Sequence, residues 1–207
     1  MPKGQLFIVS APSGCGKDTI INRVLAKNPN IRLSISSITR DKREGEVEGE
    51  KYNFISIEKF KNMIANNELL EHNEYCGNFY GTPRRKVENW LEDGLDVILE
   101  IDVNGAEKVM NVMNRTVSIF ILPPSMIALS DRLLSRNTED IDTVKKRLKE
   151  AVSEISKAGN YDYIVVNDDI DKAVFDFEVI IKACNLTVDK QKNILNEVQN
   201  DAQSFNW

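Results

Sequence analysis

The chain has 207 residues, 42% of them hydrophobic and 29% charged, with a formal net charge of -5. That length supports one well-buried core with insertions, or at most two small domains; no apolar run approaches the roughly 20 residues that span a bilayer, and the acidic balance argues against general nucleic-acid binding. Cys15, Cys76 and Cys184 are widely spaced and form no CxxC pair, so neither a disulfide framework nor a zinc site is expected.

The first residues, Met-Pro-Lys-Gly-Gln, show no signal-peptide pattern, and with unpaired thiols this predicts a cytoplasmic protein. "QLFIVS" (5–10) is a continuous apolar run of the kind found in a strand covered on both faces. A glycine-rich turn follows, then a helix whose Ile20, Ile21, Val24 and Leu25 share one face, with Pro29 beyond its end. "DVILEI" (96–101), "VSIFIL" (117–122) and "YIVV" (163–166) read as further buried strands, and apolar periodicity predicts helices near 143–158 and 171–183. Strands alternating with helices predict an α/β fold with a parallel sheet wrapped by helices. Two stretches interrupt the alternation. Residues 34–84 hold short β-like pieces, "RLSIS" and "YNFIS", and a helix near 57–66; residues 125–147 hold an arginine-bearing helix and the polar "NTEDID". Both read as insertions at the substrate edge of the sheet. After Cys184 one more polar helix is expected, carrying Ile194, Leu195 and Val198, and Trp90 reads as packing.

The turn "APSGCGKDT" (11–19) approaches the phosphate-cradling pattern Gly-x-x-x-x-Gly-Lys-Ser/Thr. Gly14 and Gly16 let the backbone aim several N–H groups at one point, where the helix N-terminus adds positive potential. Lys17 adds a full charge. Ala11 replaces the first glycine, and Asp18 stands where a hydroxyl belongs, with Thr19 one place on. A carboxylate there would repel a bare triphosphate unless it points away or magnesium intervenes. Cys15 is either slightly acidified by the helix end or a packed, inert thiol. In "TRDKRE" (39–44), Arg40 and Arg43 stand three apart and could grip a phosphate, the alternative being a solvated charge run. Arg132 and Arg136 share a helical face; they could clamp phosphate or simply pair with Asp131 or Glu139. The single histidine, His72, is assigned no catalytic role.

Six blocks, "SAPSGCGKDT", "SSITRDKREGEVEGEKYNF", "LLEHNEYCGNFYGT", "VILEIDVNGA", "SIFILPPS" and "DYIVVNDD", give the chain a close resemblance to guanylate kinases, in order and spacing, from about residue 4 to 183. The resemblance implies a P-loop nucleoside monophosphate kinase fold that transfers the γ-phosphate of ATP to GMP, and to dGMP. It implies a core with the P-loop (1–33), a GMP-binding insertion (34–84), more core (85–124), a lid (125–147), and core with a helical tail (148–207). Ser13, Gly14, Cys15, Gly16, Lys17, Asp18 and Thr19 are implied to hold the ATP phosphates, with Asn167 near adenine. Ser36, Arg40, Arg43, Tyr52 and Tyr80 are implied at the GMP phosphate, Glu71 and Thr82 at guanine, and Asp102 near the same pocket. Lys17, Arg40, Arg132, Arg136 and Arg147 carry catalysis in this reading. Magnesium is implied as the ion bridging the ATP phosphates, with Glu100 and Thr19 nearby and most contacts through waters and phosphates. ATP and GMP are the expected partners, with no nucleic acid or membrane, and a homo-oligomer is left open.

The acceptor would be an already anionic phosphate oxygen, so no general base is needed and the missing His/Ser/Cys set counts for nothing. Guanine presents N1–H and an N2 amino group that one carboxylate can accept from together, whereas adenine would leave a buried Glu71 unpaired. Two rivals remain: a guanylate-kinase-like module that binds protein without catalysis, and a kinase for another nucleoside monophosphate.

Overall fold

The computed structural model describes residues 3–43, 45–75, 77–135 and 140–205. Strand β1 (Leu6–Ser10) is buried along its whole length, as its unbroken apolar run predicts. Its side chains alternate between the faces of the sheet. Phe7 and Val9 enter the core formed with helices α1 (Lys17–Lys27) and α7 (Ile170–Asn185). Leu6 and Ile8 enter the core formed with α3 (Arg84–Glu92) and α4 (Val103–Val112). Trp90 packs against that second core, as expected, with the Lys86 ammonium over its ring.

The main sheet is wholly parallel, in the order β2 (Ile31–Leu33), β7 (Asp96–Glu100), β1, β8 (Thr116–Leu122), β9 (Tyr163–Val166). Its middle strand therefore delivers the glycine-rich turn to the carboxyl edge of the sheet, where open α/β sheets bind ligands. The register pairs Val9 with Glu100, so Glu100 ends β7 beside the start of that turn.

A smaller mixed sheet takes the order β4 (Tyr52–Phe54), β3 (Ser36–Ile38), β6 (Asn78–Pro83), β5 (Leu69–Tyr75). Helix α2 (Ile57–Ala65) is capped by Ser56, which accepts from Lys59 N–H, and covers this sheet with Phe60, stacked on Phe79 at 5.4 Å. The piece "RLSIS", read above as one β segment, is divided by the structure. Arg32 and Leu33 pair with β7 in the main sheet, and Ser36 onward pairs with β4 and β6 in the small one. A period-two pattern says which face a residue takes, not which sheet its strand joins.

Helices α5 (Met126–Leu134) and α6 (Ile141–Ser156) share a separate apolar cluster of Leu129, Leu133, Val144 and Ala151. Helix α6 runs unbroken past residue 147, so the expected lower boundary of the lid falls inside a helix. Helix α4 has no strong sequence signal because it opens on "VNG", a run of weak helix formers. Its start is fixed by Asp102, whose Oδ1 accepts from Asn104 and Gly105 N–H, both at 2.8 Å. Gly105 lets α4 approach Glu71 closely: a Cβ there would lie 3.0 Å from Glu71 Oε2, so the carboxylate would have to give by a few tenths of an ångström. The tail forms α8 (Lys192–Ser204). Among the described residues no helix is long and apolar enough to cross a membrane.

Candidate active site

The turn between β1 and α1 is held from behind. Asn167, 5% exposed, donates from Nδ2 to the Cys15 carbonyl at 2.6 Å, and its own N–H donates to Leu122 O at 2.8 Å. Gly16 caps α1 in the left-handed region, φ 85°, and a Cβ on it would meet Asn167 Nδ2 at 2.6 Å. The turn and the positive end of α1 line one cavity of about 700 Å³, with the Cys15 N–H spent within the loop on Pro12 O at 3.1 Å. Lys17 points into it and is paired with Glu100. Cys15 contributes only its backbone. Its thiol is 1% exposed, sits 3.5 Å from Ile121 O, and burial pushes it up to about 12, so the packed, inert alternative holds and the acidified one does not.

Asp18 points to the rim of the same cavity and pairs with Lys51, which stands at the start of β4 in the small sheet. Burial opposes its ionisation, but the ammonium groups of Lys51 and Lys17 outweigh that and lower its pKa. The unexpected carboxylate is thus neutralised across the cleft by a lysine with no sequence signal of its own. Thr19 lines the cavity beside it.

A second cavity of about 260 Å³ adjoins the first and shares Tyr52, Glu100, Ile101 and Asp102 with it. Ser36, Glu71, Asn73 and Tyr80 complete its wall. Glu71 is 7% exposed and accepts from Thr82 Oγ1 at 2.7 Å; burial raises its pKa, against the pull of that hydroxyl. Asp102 doubles as the α4 cap and as acceptor from Asn73 Nδ2 at 3.4 Å. His72 lies outside both cavities, on the strand position that faces away from Glu71.

The arginines divide. Arg40 makes a two-pronged contact with Glu46 at 2.7 and 2.5 Å, with its guanidinium 5.4 Å from the Tyr52 ring centre and 5.7 Å from that of Phe54. The pairing raises the Arg40 pKa and lowers that of Glu46 to about 2. Arg43 lines the larger cavity, and its N–H donates to Glu46 at 2.8 Å. Arg132 donates from Nη2 to Asn167 O at 2.8 Å, while its buried Nη1 has no hydrogen-bond partner among the described residues. Arg147 reaches Ser13 Oγ at 3.3 Å. Arg136 lies outside the described residues. Asn167, expected near adenine, donates its amide nitrogen to the loop carbonyl, which braces the turn from behind.

Sequence reading missed Glu154, which lies on α6 and lines the larger cavity. Burial raises its pKa to about 7, helped by Asp102 and Glu150 and opposed by Lys17. Its spacing of seven from Arg147 puts both on one face of α6, the only available signal. Glu100, Asp18 and Thr19 offer hard oxygen donors at the P-loop edge, chemistry that suits magnesium. No group of three or more His, Cys, Asp or Glu that could hold a metal ion occurs among the described residues.

Comparison with known proteins agrees with this architecture. Residues 3–184 match the family model of guanylate kinase. The chain is 46% identical over 193 residues to a guanylate kinase of Vibrio parahaemolyticus, covering 92% of this chain and 93% of that protein. It is 45% identical over 194 residues to the guanylate kinase of Escherichia coli O157:H7, covering 93% and 94%. The crystal structure of guanylate kinase from Anaplasma phagocytophilum superimposes with a TM-score of 0.75 at 37% identity, over 92% of this chain and 90% of that one.

Proposed function

This chain belongs to the guanylate kinase family, and from that premise we propose which of its residues perform each part of the reaction. It is an enzyme that transfers the γ-phosphate of ATP to GMP, giving ADP and GDP. The roles that follow are assigned from the geometry of its two adjoining cavities. The larger takes the ATP phosphates, met by Lys17 and by the amides of the turn from Ser13 to Thr19 other than that of Cys15, which donates to Pro12 O. The smaller takes GMP, with guanine against Glu71 and Thr82 and its phosphate toward Ser36, Tyr52 and Tyr80. The single observation that carries this reading is the shared wall of Tyr52, Glu100 and Asp102, which brings two anions together end to end.

Arg40 is held in place by Glu46 before the acceptor arrives, and Arg43 faces the donor side. Lys17 leaves Glu100 as the phosphates enter, exchanging one anion for a more highly charged one. The transferring phosphoryl group spreads charge over its oxygens, and Lys17, Arg40, Arg132, Arg147 and Arg136 supply the compensating charge. Arg132 is the best placed of the lid set, since its unpartnered Nη1 lacks only an acceptor. Glu100 and Thr19 would hold magnesium on the protein side, and the ion would supply charge neutralisation on the donor phosphates. The same reading treats 34–84 as the GMP-binding insertion and 125–147 as the lid on a core of 1–33, 85–124 and 148–207, with closure excluding water. Free, buried Cys15 and Cys184 support a cytoplasmic setting.

The test is ADP formation from ATP with GMP, dGMP, AMP or UMP, with and without magnesium, beside a Glu71→Gln variant. GMP and dGMP turnover that needs magnesium and falls in the variant supports the roles. Equal turnover of AMP, or a variant unchanged toward GMP, overturns the base assignment.

A further inference from the structure

The donor cavity carries an excess of acid for a site that takes a polyanion. Its charged lining is two cations, Lys17 and Arg43, against four acids, Asp18, Glu100, Asp102 and Glu154. Three of those acids are offset on the spot. Glu100 is paired with Lys17, and Asp102 accepts from the α4 amides of Asn104 and Gly105. Glu154 keeps its proton up to about 7, through burial first and then Asp102 and Glu150. Asp18 differs. It is the only carboxylate of the phosphate turn, and its partner, Lys51, comes from the acceptor insertion, 33 residues away in sequence.

Local structure fixes where Lys51 stands. Gly49 N–H donates to Tyr52 O at 2.9 Å and Phe54 N–H donates to Glu48 Oε2 at 3.0 Å, closing a turn just ahead of β4. Gly49 supplies the left-handed backbone of that turn, φ 80°. Tyr52, the next residue, lines both cavities, whereas Lys51 lines neither and meets the site through Asp18. Burial opposes the Lys51 charge, but Asp18 and then Glu100 raise its pKa above the ordinary lysine value. With Asp18 lowered at the same time, both partners are charged at neutral pH.

We propose that Lys51 is a positioning residue for the phosphate donor: by holding Asp18 it masks the turn's carboxylate from the ATP phosphates. The inference rests on the donor-cavity reading above. Without Lys51, Asp18 would face the incoming phosphates as a bare negative charge next to Lys17. One such charge at a half-exposed site weakens anion binding by about fivefold.

Calorimetric titration of ADP into the full chain, in magnesium-free buffer at low salt, tests this without turnover. Lys51→Ala should weaken ADP by about fivefold, and by less than about twofold once salt reaches ~0.5 M. Asp18→Ser should leave ADP binding unchanged or tighter, and the double variant should return to within about twofold of the parent. Lys51→Arg should keep the parent affinity. Both single variants lose the same ion pair, so a purely structural role would weaken both alike. Equal weakening in the two, a double variant as weak as Lys51→Ala, a loss that salt does not relieve, or Lys51→Ala binding ADP as tightly as the parent would each overturn the proposal. Lys17→Ala is the reference and should weaken ADP by about tenfold or more. If it does not, the donor-cavity reading fails by itself; if it does and Lys51→Ala does not, only the masking role fails.

Discussion

The turn from Ala11 to Gly16 hangs from strands buried on both faces, whereas Ser36, Glu71, Tyr80 and Thr82 stand on a small sheet in which two strands have only three residues. The two ends of the cleft are correspondingly different. At the donor end backbone amides face the cavity, and side chains such as Asn167 and Cys15 lie behind them. At the acceptor end side chains themselves form the wall, oriented by one another: Thr82 by Glu71, Arg40 by Glu46, Asn73 by Asp102. On the proposed assignment, phosphate is met by what every residue possesses, and the base by what particular residues carry. Changes at the donor end should therefore act mainly through loop geometry and charge, and changes at the acceptor end through specificity.

Lys17→Ala removes the one ammonium group that the phosphate turn itself carries into the donor cavity, and kcat should fall by about 10³-fold or more. A loss under tenfold in an ADP-release assay would break the contrast. Next is Glu71→Gln, which keeps shape but offers guanine a donor where an acceptor is needed. Its kcat/KM for GMP should drop by about 10²-fold, with KM for ATP unchanged; a matching rise in KM for ATP would show the two ends are not separable. Asn167→Ala leaves the Cys15 carbonyl unsupported. It should cost about 1–3 kcal/mol in stability and raise KM for ATP rather than GMP, read by denaturation and steady-state kinetics.

Two smaller effects sharpen the picture. Glu154 has a folded-state pKa raised to about 7, chiefly by burial and then by Asp102 and Glu150. The folded state thus holds a proton that the unfolded state releases near the ordinary glutamate value, so this contribution is present at low pH and lost as pH rises toward 7. Glu154→Gln should gain about 1 kcal/mol over the parent at pH 8 and almost nothing at pH 4, allowing for partial solvent screening. Melting curves across that range check the sign, and a variant less stable at pH 8 would refute it. Smallest is the Asp18–Lys51 pair, whose side chains are 54% and 49% exposed. Asp18→Ser and Lys51→Ala should each shift stability by less than about 1 kcal/mol, and the double variant should match either single one.

Much of the donor end is legible because its logic is local. Strand, glycine turn and helix follow within about twenty consecutive residues, and the buried run of β1 and the lysine after the glycines can be read without any partner. The acceptor end is legible only as spacing: Glu71 reads as a surface acid next to His72, until the bulge between Leu69 and His72 and the hairpin to β6 turn it inward onto Thr82. Lys51 and Glu154 are unremarkable in sequence because each matters through a partner brought close by folding, Asp18 at a separation of 33 residues and Lys17 from another helix. The orientation of Cys15 belongs to the same class, since only β8 packing on β1 supplies the Ile121 carbonyl that its thiol faces.

Residue order by itself determined the α/β alternation, the phosphate turn and the arginine-rich insertions, because apolar periodicity and glycine placement act over a few neighbours. Tertiary structure decided which sheet each short strand joins, which face of the cleft each acid takes, and that Asn167 braces the loop. Those outcomes depend on contacts between distant segments, and such contacts have no period for a sequence to display.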